Sequence, residues 1–395
     1  MRSIVRFFKK PFFSDYRTTS VLWLVLAITG VVLKFLKGPG SYNNYLIFKN
    51  VYWHAVDGVS LYGHYPELYF DKNHYGPFFS LIIAPFAVLP DFWGVLLWVT
   101  GNVMLLYWAV KQLPLERWQH ALIYWLTVNE VFASVVNQQL NLGIAAILIL
   151  SYTLIRDKRD FWAAFLIMAG TFVKLYGIVG LAFFFFSKQK KHFILYCIFW
   201  AVVMLVLPML FFGTDYILQQ YAGWYESLQI KNGENMFSPM QNISFLGMVR
   251  KISGNAAYSD LWLIVPGLVL FFLPYLRISR YGDKRFQMLL LSSVLLFTVL
   301  FSTGSESSTY IIPFTGVIIW FLVTPERHGW KYSNLALLLF ALIFTGFSSS
   351  DLFPRFIRME YIRPYALKAL PCMIVWLFVI YDMCKGKFVS NYRNK

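Results

Sequence analysis

His192-Phe-Ile-Leu-Tyr-Cys-Ile-Phe-Trp-Ala-Val-Val-Met-Leu-Val-Leu-Pro-Met-Leu-Phe-Phe212 contains no charged side chain and follows directly on Lys188-Gln-Lys-Lys191. Crossing about 30 Å of hydrocarbon at 1.5 Å per residue takes roughly 20 apolar residues. The run therefore reads as a membrane span whose basic end stays in the cytoplasm. Working outward, comparable apolar runs lie at 20–36, 76–90, 93–111, 118–135, 141–155, 161–173, 176–187, 259–276, 286–302, 309–323, 333–348 and 365–382. Each is bounded by charge, Pro or Gly. The 395 residues are 58% hydrophobic and 14% charged, against about 25% charged for soluble domains. No polar stretch is long enough to bury its own core, so the chain is read as one all-α polytopic membrane domain over 1–395.

The net charge of +16 has its plain cause in cytoplasmic loops and anionic headgroups; nucleic acid is not an expected partner, and membrane lipids are. Cys197, Cys372 and Cys384 sit in apolar runs without metal-ligand spacing and read as packed or lipid-facing thiols. Arg2, Arg6, Lys9, Lys10 and Arg17 precede the run 20–36, and Lys34 and Lys37, not a small-residue cleavage site, follow it. This predicts an uncleaved first span with the N-terminus inside.

Two hydrophilic stretches stand out. The first, 37–75, is read as an outer loop in which Tyr45, Phe48, Tyr52 and Ala55 share one face of a short interfacial helix, with a second short element around 64–74. The second is 213–258, a long outer loop. Counting back from Lys385, Lys387, Arg393 and Lys395 places 324–332, 277–285, 188–192, 156–160 and 111–117 inside. The same count places 349–364, 303–308, 213–258, 174–175 and 137–140 outside. Parity with an inside N-terminus requires either that 76–90 inserts only partly or that 160–187 crosses once. Either gives 12 crossings with both termini cytoplasmic.

Polar residues inside apolar context are costly and mark candidate sites. Asn137-Gln-Gln-Leu-Asn-Leu-Gly143 is an amide-rich turn; amides both donate and accept, which suits sugar hydroxyls, and the same turn would serve to cap a helix. Lys174, between two short apolar runs, can hold a lipid-linked phosphate as a point charge or snorkel from a helix end. Glu306 precedes an apolar helix, where a carboxylate is favourable without any further role. Asp351, Arg355, Arg358 and Arg363 line the last outer loop. Glu130 interrupts the run 118–135, with Lys174 or a residue of another helix as its candidate partner. His54, His64 and His74 are ten residues apart, so no helical face gathers them around a metal.

Several segments together resemble a known family: Asn43-Asn-Tyr-Leu-Ile-Phe-Lys49, Leu61-Tyr62 with Tyr65-Pro66-Glu67, Tyr75-Gly-Pro77, the Gln138/Asn141/Gly143 turn, and Phe172-Val-Lys-Leu-Tyr-Gly177. Glu306-Ser-Ser-Thr-Tyr310 with Trp320, and Asp351-Leu-Phe-Pro354, complete the set. In order and spacing the chain resembles the integral-membrane glycosyltransferases of the GT-C fold, specifically glycosyltransferase family 87, in a Bacteroidetes-type member. The resemblance implies about 12 transmembrane helices, with short interfacial helices in a large first outer loop that frames the active site. It implies transfer of a sugar, typically mannose, from a polyprenyl-phosphate carrier to a lipid or glycan acceptor at the outer face. Many members carry an Asp at the start of that loop as the base; here that position falls within Ser41-Tyr42-Asn43-Asn44, none of which is acidic.

Transfer needs a carboxylate to take the acceptor's proton and cations or helix N-termini to hold the leaving phosphate. Glu67, Asp71 or Glu306 is the expected base, and Lys174 and Arg355 the phosphate ligands. Asn44, Tyr75, Gln138, Gln139 and Asn141 are expected around the sugar or acceptor. A lipid phosphate is already a competent leaving group, so neither a metal nor a cofactor beyond the lipid-linked donor is expected. The rival reading is a non-catalytic relative, or a transporter or flippase of a lipid-linked sugar. Against a transporter stand the absence of visible repeats and of acidic residues deep in several spans.

Overall fold

The computed structural model describes residues 6–324, 332–348 and 350–386. Arg2, Lys387, Arg393, Lys395 and most of the loop 324–332, which entered the topology count, lie outside the described residues. The architecture is helical throughout: α1 Tyr16–Phe35, α2 Asn43–Asp57, α3 Phe79–Ala87, α4 Asp91–Lys111, α5 Arg117–Leu126, α6 Val128–Val136, α7 Asn141–Arg156 and α8 Asp160–Lys174. A 3-10 segment, Tyr176–Phe186, precedes α9 Lys190–Phe212, α10 Thr214–Asn235, α11 Phe245–Ser253 and α12 Leu261–Phe272. α13 Lys284–Leu300, α14 Ile311–Val323, α15 Ser333–Ala341 and α16 Ala369–Lys385 complete the order. Among the described residues no strand forms, and the extended pairing reduces to an isolated bridge between Gln241 and Glu306.

Among the described residues α1, α4 and α9 are long and apolar enough to cross a membrane by length and composition. The other apolar runs fold as shorter or interrupted helices. Pro85 lies inside α3 and Pro266 inside α12, as Pro208 does inside the long α9, each removing a backbone donor without ending its helix. The doubtful run 76–90 yields α3, nine residues and about 14 Å long. The run 160–187 is a hairpin: the chain reverses at Leu175, held at φ 48°, and the 3-10 segment retraces α8. A Cβ on Gly177 would lie 2.4 Å from backbone atoms of Gly170 and Thr171, so only a residue without a side chain lets the two backbones meet this closely.

The chain divides into two compact units. The first comprises Ser20–Leu113 with Ser134–Lys231. Here α2 buries Tyr45, Phe48 and Ala55 of the expected face, while Tyr52 is only half-buried and His54, expected off that face, is buried too. It also caps α3, whose last carbonyls have no partner within the helix: Tyr45 Oη donates to Phe86 O (2.9 Å) and Trp53 Nε1 to Ala87 O (3.2 Å). Lys49 and Asp91 close the same corner at 2.6 Å. The stretch 64–74, expected to hold a second short helix, forms turns. The expected outer loop 213–258 is in large part helix, α10 and α11.

The second unit comprises Met1–Thr19, Pro114–Ala133 and Asn232–Lys395. Its core is α13 packed on α14 and α16, with Trp320, Trp376 and Phe314 fully buried. Side-chain hydrogen bonds satisfy polar groups between these helices. Ser292 Oγ donates to Gly316 O (2.7 Å), Trp376 Nε1 to Ser293 Oγ (3.0 Å) and Trp320 Nε1 to Asp382 (3.1 Å).

Candidate functional site

The first unit's polar features are organised by Asn73-His-Tyr-Gly-Pro77. Asn73, buried, folds its amide onto the next turn: Oδ1 accepts from Tyr75 N (2.9 Å) and Nδ2 donates to Tyr75 O (3.2 Å). Tyr62 Oη also donates to Tyr75 O (2.9 Å), and Trp224 Nε1 of α10 donates to His74 O (2.9 Å). Gly76 N donates to Val173 O at the end of α8 (3.1 Å). A Cβ on Gly76 would stand 2.1 Å from Phe172 O and 2.9 Å from the Trp224 ring. Only glycine fits, and that is the physical content of the Tyr75-Gly76-Pro77 motif.

This seating brings Tyr75 beneath Lys174. The ammonium lies 5.5 Å from the centre of the Tyr75 ring and 5.3 Å from that of Tyr176, and it donates to Asn141 Oδ1 at 2.8 Å. Asn141 Nδ2 in turn donates to Gln139 Oε1 (2.8 Å), so an amide chain runs from the first residue of α7 to the lysine. Asn44 Nδ2 reaches the same turn at Asn137 O (2.8 Å). Lys174, Tyr75, Asn141, Gln139 and Asn44 thus come together around this turn. Gln138 is not available in the same way: at φ 51° it is buried, with Nε2 turned onto Val136 O (2.7 Å). Its carbonyl accepts Trp98 Nε1 (2.8 Å), so its role in the turn is a folding one.

On the other side of His74 stands Asp71, at φ 70° with its side chain about half exposed. His74 Nε2 is 3.9 Å from its carboxylate and Lys231 Nζ of α10 is 3.3 Å away; Lys72 N donates to it at 2.9 Å. His74, then Lys231 and this backbone donor, hold the carboxyl well below the ordinary carboxylate range against the opposing effect of burial. Glu67 stands exposed four residues earlier.

Glu306 and Arg355 belong to the second unit. The Glu306 side chain accepts from Thr309 N as a helix cap and from Gln241 Nε2 (3.0 Å), the use its position before a helix foretold. Arg355 is exposed, while its neighbour Arg358 pairs with Asp351 (3.0 Å). Glu130 has found its partner in Lys368, at 2.9 and 3.2 Å, and the lysine also donates to Ser307 O and Oγ (3.1 Å each). Nearby, Lys251 is buried and donates to Gln241 O (2.8 Å) and Asn242 O (3.4 Å), and burial pushes it down to about 8.

The sequence model of glycosyltransferase family 87 matches residues 73–303, beginning at the Asn73 turn. The chain belongs to glycosyltransferase family 87. The match spans Tyr75, the 137–143 turn, Lys174 and Lys231; Asn44, Glu67 and Asp71 precede it, and Glu306 and Arg355 follow it. No curated protein matched the chain. Family 87 membership makes it a glycosyltransferase, using a sugar donor and an acceptor. With its long apolar helices, it is a membrane protein of that family.

Proposed function

We propose that this family 87 glycosyltransferase moves a sugar, mannose in the first instance, from a polyprenyl-phosphate donor to a lipid or glycan acceptor at the outer face of the membrane. The observation that carries the reading is the Lys174 ammonium held by Asn141 and flanked by Tyr75, on the same Asn73–Pro77 strip whose other end fixes Asp71. One strip thereby links a cation suited to a phosphate with an ionised carboxylate suited to a proton. The N-terminus of α7 adds to the positive field around Asn141.

In the proposed step the acceptor hydroxyl oxygen attacks the anomeric carbon and the carbon–oxygen bond to the phosphate breaks. The hydroxyl proton passes to Asp71, and the phosphate leaves with the electron pair of the broken bond, its charge met by Lys174. Asn44, Gln139 and Asn141 are proposed to contact sugar or acceptor hydroxyls. Glu67 is the second candidate base. Purified protein given polyprenyl-phosphate mannose and a membrane-lipid acceptor fraction should form mannosylated lipid, and Asp71→Asn should lower turnover at least 100-fold. Full turnover by Asp71→Asn together with loss in Glu67→Gln would move the base to Glu67. Full turnover by both variants would remove the base from this loop, and no turnover by the native protein with this donor would refute the donor class.

A further inference from the structure

We propose that His74 is the positioning residue of the transfer: clamped by Ser227, it fixes the Asp71 carboxylate that takes the acceptor proton, without itself touching substrate. The inference rests on the reading of Asp71 as base.

His74 is wedged between its own loop and α10. Nδ1 lies 2.7 Å from Ser227 Oγ, and Ser227 Oγ is also 3.2 Å from Asn73 O. The carbonyl of His74 is taken by Trp224 Nε1. The ring is thus held at one nitrogen and at its own backbone, and Ser227 is itself buried. Nε2 is buried from solvent, which excludes it as a group that meets an acceptor. It faces Asp71 at 3.9 Å, beyond direct hydrogen-bond length but close enough for electrostatic hold. Ser227 gives its one hydroxyl proton to Asn73 O, so Nδ1–H donates to Ser227 Oγ, and the protonated ring directs its second N–H, on Nε2, toward the carboxylate. Asp71 holds a left-handed φ, which a short carboxylate that bonds its own backbone can adopt. Its neighbours are His74, the Lys72 N–H and Lys231. These are also the groups that face the carboxylate and set its protonation, two from its own loop and one from α10.

Carboxyl labelling tests the clamp without any substrate. A water-soluble carbodiimide with glycine ethyl ester modifies protonated, accessible carboxyls, and Glu67, four residues away and exposed, is an internal standard. Between pH 4 and 5 the native protein should label Asp71 at least fivefold less than Glu67. His74→Phe and Ser227→Ala should raise the Asp71 to Glu67 ratio at least threefold. His74→Gln, which keeps an N–H donor, should keep a ratio near native. In turnover of polyprenyl-phosphate mannose, His74→Phe should lower kcat with KM within twofold. It should also move the acid limb of the pH profile up toward the ordinary carboxylate range, with His74→Gln partly restored. An unmoved ratio and acid limb in His74→Phe, with Asp71→Asn inactive, would overturn the positioning role while leaving Asp71 as base. Full turnover by Asp71→Asn would overturn the base reading and the role of His74 with it.

Discussion

Replacing Lys368 by Met should destabilise the second unit more than replacing Lys368 and Glu130 together. The pair is cut off from water: 3% of the lysine side chain and none of the glutamate side chain is exposed. The ammonium is saturated by both carboxylate oxygens and both oxygens of Ser307, at 2.9–3.2 Å, and lies 4.9 Å from the Tyr310 ring centre. Removing it strands a carboxylate inside protein, which costs about 3–5 kcal/mol for buried pairs. At roughly 2–4 °C per kcal/mol for a unit of about 200 residues, Lys368→Met should melt roughly 6–20 °C below native. Glu130→Gln with Lys368→Met leaves no net charge behind, because an amide needs only ordinary hydrogen bonds, and should recover at least half of that loss. Thermal unfolding in detergent, scored as a double-mutant cycle, gives the coupling directly. If the double variant falls by the sum of the two single losses, the pair is not coupled and the argument from stranded charge fails.

Gly76→Ala places a methyl 2.1 Å from Phe172 O, which cannot yield; folded yield should drop, or the Asn73–Pro77 strip should lift, read as faster amide exchange at Gly76. Lys174→Met should weaken binding of polyprenyl-phosphate mannose at least tenfold, with Lys174→Arg recovering part, and equal affinity would return Lys174 to a snorkelling side chain. Lys251, pushed down to about 8 against about 10.4 unfolded, binds fewer protons folded than unfolded between those values. Stability should therefore rise across pH 8 to about 10 by this group's share, and Lys251→Met should flatten that rise. Asp71 acts in the same direction at lower pH: its folded value is depressed, so its contribution is present above about pH 4 and is lost as pH falls further.

The helical class and most apolar runs could be read because hydrocarbon imposes length and composition directly on sequence. α9 coincides closely with its run, whereas 176–187 gave no hint of its tighter winding. Lys174 and Asn141 stand out as polar interruptions of apolar context, a costly placement, whereas Tyr75 is marked only by the Tyr75-Gly-Pro77 segment of the family resemblance. Gln138 misled because its left-handed backbone, invisible in composition, turns the side chain back on its own loop. Ser227 and Lys231 lie in a stretch whose polarity reads as one loop, and only the helix α10 brings them to the Asn73–Pro77 strip. Lys368 had a signal: a lone cation within the run 365–382, as Glu130 is a lone anion within 118–135. Pairing two residues 238 apart needs coordinates.

The segment that retraces α8 winds at three residues per turn, so Gly177, Gly180 and Phe183 stack in one straight column, all turned inward. Such a ribbon tolerates length change only in triplets. Inserting a single residue after Gly177 would rotate everything beyond it by about 120° and present Val179 and Ala182, not Gly180 and Phe183, to the neighbouring rod. Inserting three would restore the facing column and shift it by about 6 Å, leaving the lysine at the hairpin's apex at its original depth.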